Sequence, residues 1–236
     1  MIGRLLQVEL LKIRRKGLWF LTFLGPLGVV ALQIVNYGVR RDYLLQQSDD
    51  HWLYYLSNVS SFTPLALVLG IAILTSLMTS IENETKAWKQ LLALPVSKWS
   101  VYLSKFTVLI GLLLTASIVL AIASLALGLA LDLDGKIPYG ALLEYSFYPF
   151  FASLPLLALH LWLAAVIEHQ GVVMTSGIIS VILTFMAYYL PDWMIWKWPT
   201  LQNDWQEPLF SALLGLAVGI AVYVFGMIDF VRRDVK

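Results

Sequence analysis

Three histidines, His51, His160 and His169, and fifteen carboxylates are the side chains from which this sequence could build a metal site, a proton relay or a hydrolytic centre. A metal centre needs clustered His and carboxylate ligands, and three scattered histidines do not supply one. Glu82, Glu84 and His160 likewise fail to reproduce the glutamate-pair and histidine patterns of intramembrane proteases. The absence of cysteine removes disulfides, thiolate metal ligation and thiol nucleophiles together. No G-x-x-x-x-G-K-[ST] phosphate loop occurs, so this chain does not by itself bind and hydrolyse ATP in the P-loop manner. No catalytic residue, metal ligand or bound cofactor is expected, and the chain reads as a non-enzyme.

The frame around these residues is hydrocarbon. Of 236 residues 59% are hydrophobic and 13% charged, and the mean hydropathy is +0.77, beyond what one water-soluble core can hide. Six apolar runs, about Gly17 to Val39, Val59 to Ile81, Phe106 to Leu131, Ser146 to Ile167, Gly171 to Leu190 and Leu209 to Ile228, approach or exceed the roughly 20 residues a helix needs to cross a bilayer. They are apolar on every face, unlike the alternation of a β-barrel. The expected fold is all-α and integral to the membrane, one domain over 1–236 with six transmembrane helices. Gly17 to Val39 is too long for a signal-peptide core and is read as an uncleaved first span.

Basic residues cluster at three places: Arg4, Lys12, Arg14, Arg15 and Lys16; Lys86, Lys89, Lys98 and Lys105; Arg232, Arg233 and Lys236. The positive-inside rule assigns these to the cytoplasm and places both termini there, in a plasma membrane. Only Arg40, Arg41, Lys136 and Lys197 fall on the other side, among nine acids. No basic domain for nucleic acid is present.

Three polar stretches carry local patterns. In residues 1–16, Ile2, Leu6, Leu10 and Ile13 share one helical stripe and Arg4, Gln7, Arg14 and Arg15 the other, which suggests an amphipathic elbow helix at the inner membrane surface. Glu9 is a misfit within its apolar stripe, and Val8 and Leu11 are misfits on the polar side. In the segment 82–105, Thr85 to Leu94 reads as a helix with Trp88, Leu91, Leu92 and Leu94 on an apolar face and Lys86, Lys89 and Gln90 on a polar one. Pro95 stops it, and Ser97 is placed as the N-cap of the next helix, its hydroxyl accepting a backbone N–H. On the outer side, 191–208 carries Trp193, Trp196, Trp198 and Trp205 with three prolines, either an aromatic belt at headgroup level or a short partly inserted helical hairpin. Within the spans, His160 reads as a neutral imidazole bonded to a neighbouring helix, and the hydroxyls of Thr75, Ser76, Thr79, Ser80, Thr175, Ser176, Ser180 and Thr184 as packing devices.

The basic N-terminal segment with Glu9, Lys12 and Arg14, the six-helix plan, and the string LLALPVSKWSVYLSK resemble the permease subunits of ABC-2 type transporters, particularly the small bacterial permeases of peptide-antibiotic immunity and bacitracin-type resistance. The resemblance implies a type V exporter-like permease half with Leu94-Pro95-Val96-Ser97 closing a coupling helix. Glu82, Glu84, Lys86, Trp88, Lys89, Leu91, Leu92, Leu94 and Pro95 would then meet a separate ABC ATPase, in two copies, which would hold ATP and Mg²⁺. Glu9, Lys12, Arg14 and Arg15 would belong to the elbow helix, and the four outer tryptophans to a cap over the pathway. A second permease copy or a related permease is the other implied partner, in a bacterial membrane. An amphiphilic substrate such as an antimicrobial peptide fits a pathway with few charges. An ion-coupled secondary transporter is the rival reading, and it lacks the embedded carboxylates or internal repeat it would need.

Overall fold

A backbone surrounded by hydrocarbon must satisfy its own hydrogen bonds, and a helix does so within one segment. The computed structural model describes residues 2–15, 17–84, 97–167 and 169–233, and among them there is no strand. The helices are α1 (Ile2–Arg15), α2 (Leu18–Leu45), α3 (His51–Glu84), α4 (Lys98–Ala130), α5 (Tyr139–Ala152), α6 (Leu154–Val166), α7 (Gln170–Phe185) and α8 (Pro208–Arg232). Gly17, at φ 71°, forms the joint between α1 and α2, a left-handed conformation that glycine adopts without strain.

The lateral surface is apolar and the interior holds the polar side chains. Phe20, Leu24, Leu32 and Val35 of α2, Ile178, Ile179 and Ile182 of α7, and Leu213, Ile220 and Phe225 of α8 are exposed. Thr22, Gln33, Thr75, Ser76, Thr79, His160, Ser180 and Thr184 are buried. Several hydroxyls bond back to their own helix, as Thr75 Oγ1 does to the Ile71 carbonyl at 2.7 Å and Thr79 Oγ1 to that of Thr75 at 3.0 Å. Gln33 crosses from α2 to α3, donating to the Asn58 carbonyl at 3.2 Å.

Helix lengths depart from the sequence reading in two places. The outer loop expected over 40–58 shrinks to a few residues, because α2 continues to Leu45 through an irregular Arg40 and α3 begins at His51. Asp50 makes that early start favourable: its carboxylate accepts the Leu53 N–H at 2.9 Å and its carbonyl the Tyr54 N–H. Tyr37, Trp52, Tyr55 and Leu133 then form an aromatic core at this end, with the Trp52 indole N–H donating to the Leu133 carbonyl and the Tyr55 hydroxyl to that of Ser124.

The second departure concerns the fifth run. Among the described residues, five helical stretches are long and apolar enough to cross a membrane: Leu18–Leu45, His51–Ser80, Lys98–Ala130, Tyr139–Val166 and Pro208–Arg232. The run expected from Gly171 to Leu190 gives only the 16-residue α7, about 24 Å at 1.5 Å per residue. It ends at Phe185 and passes through a 3-10 turn at Ala187–Tyr189 to Pro191, whose ring disfavours helical conformation in the residue before it.

The fourth span is α5 and α6 joined at a bend. Pro155 lacks the N–H that would continue the ladder, and Ser153 instead receives the turn, its N–H bonding the Pro149 and Phe150 carbonyls. α8 packs against this bend through Gly215 and Gly219. A Cβ at Gly215 would lie 2.5 Å from the Phe151 carbonyl oxygen, and one at Gly219 would lie 2.7 Å from Leu154 Cβ. Small residues four apart let two backbones approach where lipid offers no hydrophobic drive to hold helices together.

Gly215→Val must therefore push α8 off the bend, an overpacking cost of about 1–3 kcal/mol. Thermal unfolding in detergent should show a midpoint several degrees below wild type, whereas Gly111→Ala, with open space around it, should leave the midpoint unchanged or raise it.

Candidate functional site

The segment expected to meet an ATPase leads into the first turns of α4. Glu82 and Glu84 fall in the last turn of α3 with their side chains outside the described residues, and Lys86, Trp88, Lys89, Leu91, Leu92, Leu94 and Pro95 lie outside them altogether. Ser97 is where the description resumes, and it is the N-cap of α4 as the sequence suggested. Its hydroxyl, however, pairs with the Ser100 hydroxyl at 2.6 Å instead of a backbone N–H, because the Ser100 and Val101 N–H groups turn to the Ser97 carbonyl.

Lys98 and Lys105, counted as loop residues from the sequence, are helical. Lys98 Nζ donates to the Arg233 carbonyl at 2.7 Å, so the start of α4 places a cation on the exposed carbonyl end of α8, where the helix dipole favours it. Lys105, two turns further, is fully buried, and its Nζ lies 3.3 Å from both carboxylate oxygens of Glu9. Glu9 is 3% exposed and also accepts from Lys12 Nζ at 2.9 Å. The misfit of the α1 stripe is thus an ionic contact to α4. Removing one member of such a buried pair typically costs about 3–5 kcal/mol, because the other charge stays desolvated.

That contact also rotates α1 relative to the expected stripe. Ile13 is buried and Leu6 packs beside it, but Leu10 is 46% exposed, together with Val8 and Leu11. Arg14 and Arg15 sit in the last turn of α1 with side chains outside the described residues.

On its other flank the start of α4 meets α8, which in turn meets α6. Tyr102 is fully buried with its ring 5.5 Å from that of Tyr223 and 5.4 Å from that of Phe230, while Phe106 stacks on Tyr223 at 4.3 Å. Gly226 leaves room for the Tyr102 hydroxyl, which a Cβ would meet at 2.8 Å. One turn on, Asp229 accepts from the Trp162 indole of α6 at 2.9 Å and from Arg233 Nε at 2.8 Å. α1, α4, α6 and α8 therefore converge at the end of the bundle that carries both ends of the described chain. Lys105, Tyr102, Lys98 and Asp229 were missed as functional candidates. An isolated lysine beside an apolar run and an isolated glutamate in an apolar stripe were the available signal, since each needs an opposite charge if buried.

At the opposite end, the tryptophan-rich segment folds as turns with a single 3-10 turn at Trp198–Thr200, and of the two readings of its sequence the helical hairpin is not formed. Pro191, Pro199 and Pro208 withhold N–H groups from any ladder, and Leu201 at φ 60° ends the turn. The four tryptophans divide. Trp198 is buried against Ala152 and Leu201, with its indole N–H on the Asp192 carbonyl at 2.6 Å; Trp196 reaches inward to donate to Ser180 Oγ at 3.0 Å. Ser180 also pairs with His160 Nε2 at 3.0 Å, so the expected histidine contact to a neighbouring helix is present and extends to the cap. Trp193 and Trp205 are exposed. Asp192 anchors the segment through Lys197 Nζ at 2.6 Å and the Asp204 N–H at 2.9 Å.

Between the two ends, a cavity of about 40 Å³ lies among α2, α3, α4 and α5, walled by Gly25, Pro26, Gly70, Leu113, Ser117 and Ser146. Among the described residues no group of three or more His, Asp or Glu side chains is placed to hold a metal ion.

The Lys197 contact and the Asp204 N–H hold the Asp192 carboxyl below its ordinary value of 3.8. A lowered folded-state pKa contributes stability above the ordinary value and loses it as pH falls through the lower one. Ser211, which accepts from Asn203 of the same segment, is buried, and the chain has no native cysteine. Ser211→Cys should therefore label slowly with a water-soluble thiol reagent above about pH 4 and faster, after acid exposure in a quench-trap protocol, below it. Adding Asp192→Asn should raise labelling at neutral pH and remove the acid dependence.

Residues 5–187 match the family model described as "ABC-2 family transporter protein". No curated protein and no solved structure matches the chain.

Proposed function

Because this chain belongs to the ABC-2 transporter family, a family of multi-pass membrane subunits that normally work with an ABC ATPase, we propose that it is the permease half of an ATP-driven exporter of amphiphilic molecules such as antimicrobial peptides. The family match extends over most of the chain, and the apolar helices agree with a multi-pass membrane protein.

The observation that carries the reading is the convergence of α1 and α8 on the start of α4, with α6 joined to α8 through Trp162 and Asp229. Lys98, Tyr102 and Lys105 tie the exit of the 82–105 segment to two other helices, α8 and α1, within about two turns. A push on that segment by a soluble subunit is thereby delivered to several helices at once. In this reading the basic end faces the cytoplasm, α7 completes a sixth crossing with the turn that follows it, and two ATPase subunits close on ATP and Mg²⁺ against residues 82–95. A second copy of the chain or a related permease supplies the other half of the pathway, and the resemblance of LLALPVSKWSVYLSK to bacterial peptide-resistance permeases supports this reading. Closure would open the path outward past the segment holding Trp196 and Trp198, with Trp193 and Trp205 at its rim. The mostly apolar cavity walls suit an amphiphile better than a bare ion.

Affinity purification of the chain from its native membrane should recover an ABC ATPase. Trp88→Ala combined with Leu92→Ala should abolish that recovery while leaving the permease in the membrane. Transport by the purified chain under an ion gradient, with no ATPase present, would sink the proposal.

A further inference from the structure

An amphipathic helix at the start of a membrane chain can float beside the bundle or be part of its moving machinery, and the contacts of α1 distinguish the two. A floating helix needs only apolar contacts, which slide at little cost. α1 has Leu6 and Ile13 for that, but its central inward residue is Glu9. Both carboxylate oxygens of Glu9 lie 3.3 Å from Lys105 Nζ, and both side chains are withdrawn from solvent. Shifting α1 by one turn, about 5.4 Å, would strip a buried carboxylate of its cross-helix partner. Lys12, one turn along α1, would travel with Glu9 and does not replace that link to α4.

Lys105 is also well placed to transmit motion. It stands two turns after Ser97, where the 82–105 segment hands the chain to α4, and it follows Tyr102, whose ring is held by Tyr223 and Phe230 of α8. The first two turns of α4 are thus gripped by an ion pair on one flank and an aromatic stack on the other. We propose that Glu9 and Lys105 are positioning residues whose buried pair pins α1 to the start of α4, so that the two helices move as one lever during the transport cycle. The lever's role in transport rests on the permease reading; the pin itself does not.

The absence of native cysteine allows two spin labels to be placed without background, at Gln7 on α1 and Thr107 on α4, both exposed. Double electron–electron resonance on the full chain in lipid nanodiscs should give one narrow distance. In the complex with its co-purified ATPase, that distance should stay within about 3 Å, half a helical turn, when ATP and vanadate trap the closed state. Replacing the pair together, Glu9→Met with Lys105→Met, keeps the volume apolar and spares the fold the cost of a lone buried charge. This double variant should match wild type in thermal stability yet give a broadened distance and lose the permease-dependent stimulation of ATP turnover. A broad wild-type distance, a larger shift on trapping, or a double variant as narrow and as active as wild type would overturn the pin. The width of the distance is read on the chain alone, and the trapping shift and ATP turnover with the ATPase bound, so none is confused with failure of the permease reading, which is the absence of a co-purifying ATPase.

Discussion

Hydrocarbon offers no partner to a stray charge or donor, and the architecture of this chain answers that constraint from end to end. Backbone groups close within helices, hydroxyls of α3 bond back to their own carbonyls, and the larger polar side chains turn inward to meet another helix. Leucine, isoleucine and phenylalanine therefore cover the outside as well as filling the core, and threonine, serine, glutamine and histidine are buried among them. Because burial of apolar area does not hold helices together in such a surround, specific contacts must. Close backbone approach at Gly215 and Gly219 and a buried ion pair at Glu9 and Lys105 are two of them.

Those contacts give the two ends of the bundle different characters. The basic end is a junction where four helices meet over a few turns of α4, linked by charge, aromatic stacking and helix-end hydrogen bonds. The acidic end is closed by a short irregular segment held through Asp192, Trp198 and the Trp196–Ser180–His160 chain of hydrogen bonds. A family of transporters that normally receive force from one side and release cargo on the other suits such a division. The midpoint of the molecule, by comparison, is plain hydrocarbon packing around a small cavity.

Much of this was legible beforehand because its causes are local. Runs of twenty apolar residues, Pro95 with Ser97, and the clustering of lysine and arginine all announce themselves within a short window, and Ser97 did begin a helix. The local reading failed where a cap or a break shifts a helix end, and where a distant partner decides the outcome. Asp50 capped α3 early and erased most of the expected loop; α7 stopped short before Pro191; Lys105, taken for a loop cation, became a core residue because Glu9 waits 96 positions away. The outer tryptophans look alike in sequence, but only Trp198 is buried and Trp196 half-buried, since the turns around Pro199 aim these two inward and leave Trp193 and Trp205 out.

The sequence by itself determined that this is a helical membrane protein without thiol chemistry or its own phosphate loop, because hydropathy and residue type are properties of single segments. It also carried the family, in the string from Leu91 to Lys105 and in a pattern matched over residues 5–187. Only the tertiary structure decided what Glu9 is for, which face of α1 is buried, how α5 and α6 bend beneath α8, and which hydroxyl His160 meets. Each of these depends on the relative placement of helices distant in sequence. In lipid that placement is set by pairs of side chains, and a pair is invisible until both members are in space.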